Sequence, residues 1–131
     1  MAIATGSTAA SAAKPAAVGQ DWQAWSPQGV EAALAQGRPV FVDFTAAWCI
    51  TCQVNKRTTL GQTEVLADMA QRNVALLRAD WTRRDPAITQ ALQALGRSGV
   101  PVYVLYAPGK TPVVLSELLS PDKVHAALAT L

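Results

Sequence analysis

Val40 to Thr45 is apolar on both faces except for one carboxylate, Asp43, and is rich in β-branched and aromatic residues. Such a run predicts a central strand with helices covering it on two sides. Ahead of it, Asp21 to Trp25 reads as a short strand-like segment. Ser26-Pro27 then caps a helix to about Gln36, with Val30, Ala33 and Leu34 as its apolar stripe and Gly37 as its stop. Beyond the strand, a helix is predicted from Cys49 through about Thr58. Another begins at Thr63-Glu64 with Val65, Leu66 and Met69 facing inward. Val74 to Ala79 is the next strand, and Asp85-Pro86 opens a helix carrying Ile88, Leu92 and Leu95 until Gly96 ends it. Val100 to Tyr106 reads as a strand that turns at Ala107-Pro108-Gly109-Lys110 into an antiparallel partner over Pro112 to Leu115. Ser120-Pro121-Asp122 caps a last helix with Val124, Ala127, Leu128 and Leu131 packing down. Strands alternating with helices in this order call for an α/β fold, a mixed sheet with helices on both faces.

Residues 1–20 break the pattern. They are dominated by Ala with Ser, Thr and Gly, show no apolar period, and read as a linker or tether, which leaves 21–131 as the domain. A secretory leader would start with basic residues and a continuous apolar core, whereas the only early cation is Lys14 and Ser and Thr interrupt the apolar positions. No stretch approaches the roughly 18 apolar residues of a membrane span, so no direct membrane insertion of this domain is expected. A net charge of +2 with 15% charged residues supplies no basic stripe for nucleic acid and no basic amphipathic helix for a membrane surface.

The chain has two cysteines, in Trp48-Cys49-Ile50-Thr51-Cys52, where a strand gives way to a helix. There Cys49 lies over unpaired backbone N–H groups that favour a thiolate, which makes it the nucleophile candidate. A structural zinc site wants about four Cys or His ligands, and the only other candidate is His125, on a distant segment; no metal is expected. Covalent haem attachment needs a histidine after the second cysteine, where Gln53 stands. A purely structural disulfide would close too short a loop to stabilise much. Redox exchange remains, with the Cys49-Cys52 disulfide as the only redox group and no separate cofactor.

Val42-Asp43-Phe44 ahead of Trp48-Cys49-x-x-Cys52, with Gly99-Val100-Pro101 opening a later strand, resembles the thioredoxin superfamily. More narrowly, Thr45 to Asn55, Ala79 to Pro86 and Gly96 to Tyr103 are together similar to the C-terminal domain of the DsbD and ScsB type of membrane thiol:disulfide interchange proteins. Ile50-Thr51 between the cysteines, and Arg57 where thioredoxins carry a helix-kinking proline, favour the narrower family. That resemblance implies a thioredoxin fold and a protein-disulfide reductase in the periplasm, as a domain of an inner-membrane protein. Its partners would be the transmembrane domain that supplies electrons, the N-terminal periplasmic domain that receives them, and protein disulfides at large, with cytochrome c biogenesis among the processes served and the domain itself a monomer. A free-standing oxidase or isomerase of the same fold, and a non-catalytic binding module, are the alternatives.

Disulfide exchange would run from the Cys49 thiolate, with Cys52 buried and protonated until it resolves the mixed disulfide. Asp43 is the expected proton acceptor, its pKa raised by burial. The resemblance implies a cis Val100-Pro101 bond whose preceding backbone lies beside the cysteines and pairs with a bound substrate strand. Trp48 is expected on the apolar rim of the site. Lys56 stands where relatives often carry an acidic residue; it either modulates the thiol pKa values from the Cys52 face of its helix or is simply solvated. His125 is expected exposed and inert. Trp81, Arg83 and Arg84 lie in a loop that either approaches the active site or packs on another domain, and no catalytic part is assigned to them.

Overall fold

A computed structural model describes residues 22–131; the stretch read as a linker lies outside the described residues, as does Asp21. Five strands form one sheet: Gln23–Ala24 (β1), Val40–Thr45 (β2), Ala75–Asp80 (β3), Val102–Tyr106 (β4) and Val113–Val114 (β5). Their order is β1-β3-β2-β4-β5, with β1, β3 and β2 parallel and β4 and β5 antiparallel to their neighbours. This is the mixed sheet that the sequence pattern calls for, with β2 at its centre and buried along its whole length.

Helices Pro27–Ala35 (α1), Ile50–Asn55 (α2), Thr63–Gln71 (α3), Pro86–Ala94 (α4) and Pro121–Leu128 (α5) connect the strands. Three of them start alike: Ser26, Asp85 and Ser120 accept N–H bonds at the N-cap and a proline follows at the first helical position. Gly37 and Gly96 adopt positive φ just past the ends of α1 and α4, which is why glycine stands there.

Two cores lie on opposite faces of the sheet. Phe41, Leu76, Tyr103 and Leu105 meet Val65 and Met69 of α3 and Val124 and Leu128 of α5. Val40, Val42, Phe44, Leu77 and Val104 meet Ala33 of α1 and Ile88 and Leu92 of α4. Each large side chain so buried stabilises by about 1.5–3 kcal/mol. By the two-residue period of a strand, Asp43 and Thr45 share the face of Phe41.

Two elements depart from expectation. The helix predicted from Cys49 to Thr58 is regular only as far as Asn55, and Lys56–Leu60 forms a π-helical turn closed by Gly61 N–H donating to the Lys56 carbonyl at 2.8 Å. The Thr58 hydroxyl donates to the Val54 carbonyl at 2.9 Å, a local bond that loosens a regular turn. The strand predicted from Val100 begins at Val102, because Pro101 has no N–H for the ladder. Among the described residues no helix is long and apolar enough to cross a membrane.

Candidate active site

Strand β2 runs out at Thr45 into a tight loop, Ala46 to Cys49, and Cys49 is the N-cap of α2. The backbone N–H of Cys52 donates to the Cys49 sulfur at 3.1 Å. One donor left over at the start of the helix is thus aimed at the sulfur, the arrangement that favours a thiolate. Cys49 and Cys52 are joined as a disulfide with their Cα atoms 5.2 Å apart. Cys52 is wholly buried and Cys49 retains 7% exposure, so only the first sulfur can meet a partner. The two sulfurs pack with Ala46 in a small cluster of their own, and Val100 leans on it.

Val100 is where the resemblance placed it, and the Val100-Pro101 bond is cis. Trp48 is about half exposed and Ile50 is 80% exposed, so an apolar rim surrounds the less exposed Cys49. The Trp48 indole N–H donates to the Thr82 carbonyl at 3.0 Å, and the Thr82 hydroxyl accepts from Ala47 N–H at 2.8 Å. Those two bonds tie the active-site loop to the loop after β3, which therefore borders the site.

Asp43 is completely buried, and its Oδ2 accepts from Arg78 Nε at 2.9 Å across the parallel β2–β3 pair. Its Oδ1 has no hydrogen-bond partner among the described residues. Burial pushes its pKa up; the charge and hydrogen bond of Arg78, and the charge of Lys56, offset only part of that. Lys56 is not simply solvated: it is half-buried, and its Nζ donates to the Thr45 hydroxyl at 2.9 Å. Burial pulls the ammonium below its ordinary value while Asp43 holds it up. Its main electrostatic partner is therefore Asp43, with Asp80 adding less. A cleft of about 240 Å³, lined by Thr45, Ala47, Gln53, Lys56, Arg78 and Asp80, opens Lys56 and Arg78 to solvent while Asp43 stays beneath them.

Sequence reasoning missed Arg78, although a signal existed: one cation in the apolar run of β3 stands opposite one anion in the apolar run of β2. It also left Arg84 unassigned. That guanidinium lies over the rings of both Trp48 and Trp81, 5.0 and 4.9 Å from their centroids. Trp81 is buried, and its indole N–H donates to the Thr89 hydroxyl at 2.8 Å. His125, expected exposed and inert, is half-buried, with Nδ1 2.6 Å from Asp68 Oδ2. The i,i+3/i+4 geometry of α5 turns it towards α3 and away from open solvent. It is not part of the cysteines' cluster, and among the described residues no group of three or more His, Cys, Asp or Glu is placed to hold a metal.

A strand, a tight loop and a helix-capping cysteine disulfide-bonded three residues on, facing a cis-proline loop, form a dithiol/disulfide centre. The thioredoxin-like family profile matches residues 21–108. The chain belongs to the thioredoxin-like family. Among relatives, it is 35% identical over 102 residues to thiol:disulfide interchange protein DsbD 1 of Pseudomonas aeruginosa, a match covering 74% of this chain and 17% of that protein. A DsbD of Ralstonia nicotianae is 35% identical over 79 residues, 60% of this chain and 13% of the relative. The chain thus spans less than a fifth of the length of these relatives. In fold it is similar to the C-terminal domain of Neisseria meningitidis DsbD in its oxidised form, with a TM-score of 0.67 at 23% identity, covering 85% of this chain and all of that one. The reduced form of that domain superposes with a TM-score of 0.65, covering 80% and 96%. The thioredoxin fold and the thiol:disulfide chemistry expected of Cys49 and Cys52 follow from this membership and geometry together.

Proposed function

We propose that this domain is a protein-disulfide reductase that relays electrons from a membrane domain of a longer protein to periplasmic protein disulfides. The observation that carries the reading is the Cys49 sulfur, poised at the helix N-cap under the Cys52 N–H, on the one cysteine of the pair that retains exposure. The relatives named DsbD support the larger setting, with an inner-membrane parent and a periplasmic site of action.

The cycle starts from the dithiol. The Cys49 thiolate attacks one sulfur of a partner disulfide; the partner's S–S bond breaks and its second sulfur leaves as a thiolate. Cys52 then gives its proton to Asp43 and attacks the Cys49 sulfur, which expels the partner's remaining thiolate and leaves Cys49-Cys52 as the disulfide. Two electrons have passed to the partner, and an upstream dithiol returns the domain to its reduced state by the reverse exchange. Asp43 suits the proton step because it is buried, its pKa is raised and its Oδ1 is unoccupied. The backbone at Val100-Pro101 and the ring of Trp48 receive the substrate strand beside Cys49.

The test is reduction of a peptide disulfide by the reduced domain, together with its equilibrium against glutathione buffers. Wild type should reduce the peptide, Cys49→Ser should lose all activity, and the domain should stand mostly oxidised at a poise where glutathione is reducing. Undiminished reduction by Cys49→Ser refutes the dithiol reading. A domain found mostly reduced at that poise points instead to an oxidase. Cys52→Ala should accumulate a mixed disulfide on Cys49, and the captured protein identifies the partner.

A further inference from the structure

We propose that Arg84 is a specificity-determining residue that receives a carboxylate carried by the partner segment beside its disulfide. The proposal rests on the disulfide-exchange reading above. Arg84 projects from the loop after β3, and its guanidinium lies over the ring of Trp48, the residue next to the nucleophile, and over that of Trp81. The two indoles lie 6.0 Å apart and are tilted by 53°, and both are fixed by hydrogen bonds from their ring N–H groups. A cation–π contact with the rings uses no hydrogen-bond acceptor, so the N–H donors of the guanidinium remain available. Among the described residues Arg84 makes no ion pair and its side chain no hydrogen bond, and it is exposed.

Nearby carboxylates do not explain its placement. Asp80 is engaged by the hydroxyl and the N–H of Thr82, and Asp85 accepts from Ala87 and Ile88 N–H as the cap of α4. Arg84 also holds φ at +54, a left-handed conformation that favours glycine or asparagine, so the arginine stands there at a backbone cost. What arginine adds is a rigidly seated fork of donors, one side chain away from Cys49, with the exposed Arg83 beside it. Such a fork suits a carboxylate in two-pronged contact. The occupant is therefore an extended segment of a partner protein with Asp or Glu within a residue or two of the cysteine under attack.

The experiment measures single-turnover reduction of two peptide disulfides that differ only in Asp or Lys flanking the cysteine, by wild type, Arg84→Gln and Arg84→Glu. The peptides' own reactivity cancels when the Asp-to-Lys rate ratio of each variant is divided by that of wild type. Arg84→Gln should lower the ratio by about two- to fivefold and Arg84→Glu further, and both effects should shrink in 1 M salt, where the Debye length is about 3 Å. An unchanged ratio, with both peptides still reduced by the variants, overturns the proposal. Failure of wild type to reduce either peptide defeats the disulfide-exchange reading itself and this proposal with it.

Discussion

Asp43 is held ionised with difficulty, and pH makes that visible. Because burial raises its pKa above the ordinary 3.8, the folded chain binds that proton more tightly than the unfolded chain. The sign follows: stability contributed by the protonated form is lost as pH climbs from about 3.8 through the raised value, and the cost is complete above it. Asp43→Asn should therefore be more stable than wild type at pH 8, by on the order of 1 kcal/mol or more, with the gain shrinking towards pH 4. Arg78 loses its partner in that variant, but its side chain is 29% exposed and water can replace the carboxylate. Urea unfolding across pH 4–8 measures the difference. A variant less stable than wild type at pH 8 would mean that the Arg78 and Lys56 charges outweigh the desolvation of Asp43. Cys52 sits on α2, one helical turn before Lys56, so the same pair of cations bears on how readily Asp43 can take the proton assigned to it.

At the scale of elements, what could be read in advance was what local chemistry decides. Ser26-Pro27, Asp85-Pro86 and Ser120-Pro121 mark helix starts because a capping oxygen and a fixed proline φ act within a few residues. The full burial of β2 could be read from its composition, but its register against β3 and β4 could not, because a strand apolar on both faces gives no pattern to fix it. The π-helical turn could not. Beside the local Thr58 bond it involves Asn55, buried and spent on Tyr103, Glu117 and Leu119, which pins the end of α2 to β4 and to the loop before α5. Nor could the tie between α3 and α5, where Asp68 meets His125 and Arg72 donates to the Leu128 carbonyl, since no local pattern pairs residues so distant in sequence. The turn leaves a testable mark at Gly61, where an added Cβ would lie 2.9 Å from the Lys56 carbonyl oxygen. Its φ of −96 suits any residue, so crowding alone decides. Gly61→Ala should cost about 1–2 kcal/mol in urea unfolding, the scale of a forced backbone shift. A neutral substitution would show that the turn can relax to a regular helix.

Across the whole molecule, the fold and the chemistry occupy separate ground. The two large cores lie on the two faces of the sheet, and the cysteines belong to neither; they form a third cluster at the end of β2, where the strand stops and the loops after β3 and before β4 converge. This separation explains why the site was largely legible: Cys49, Cys52, Asp43 and Val100-Pro101 all stand at the ends or centres of elements that the apolar pattern locates. Arg78 and Arg84 escaped because their roles exist only once strands pair and loops meet. Separation also predicts what removing each part does. Cys49→Ala with Cys52→Ala, compared with reduced wild type so that the disulfide drops out, should cost about 1–1.5 kcal/mol, since only two small side chains are trimmed and one of them was partly open. Phe44→Ala, which empties a ring from the core shared by α1 and α4 and unseats the Trp25 ring 5.9 Å away, should cost about 3–5 kcal/mol. For a domain whose total stability is on the order of 5–15 kcal/mol, the first leaves a folded protein without activity and the second removes a far larger share of that stability. Thermal denaturation followed by circular dichroism distinguishes them, at about 4–8 °C per kcal/mol for a domain of this size. Equal losses in the two variants would show that the redox pair is part of the core, and that exchanging electrons at Cys49 must disturb the sheet as a whole.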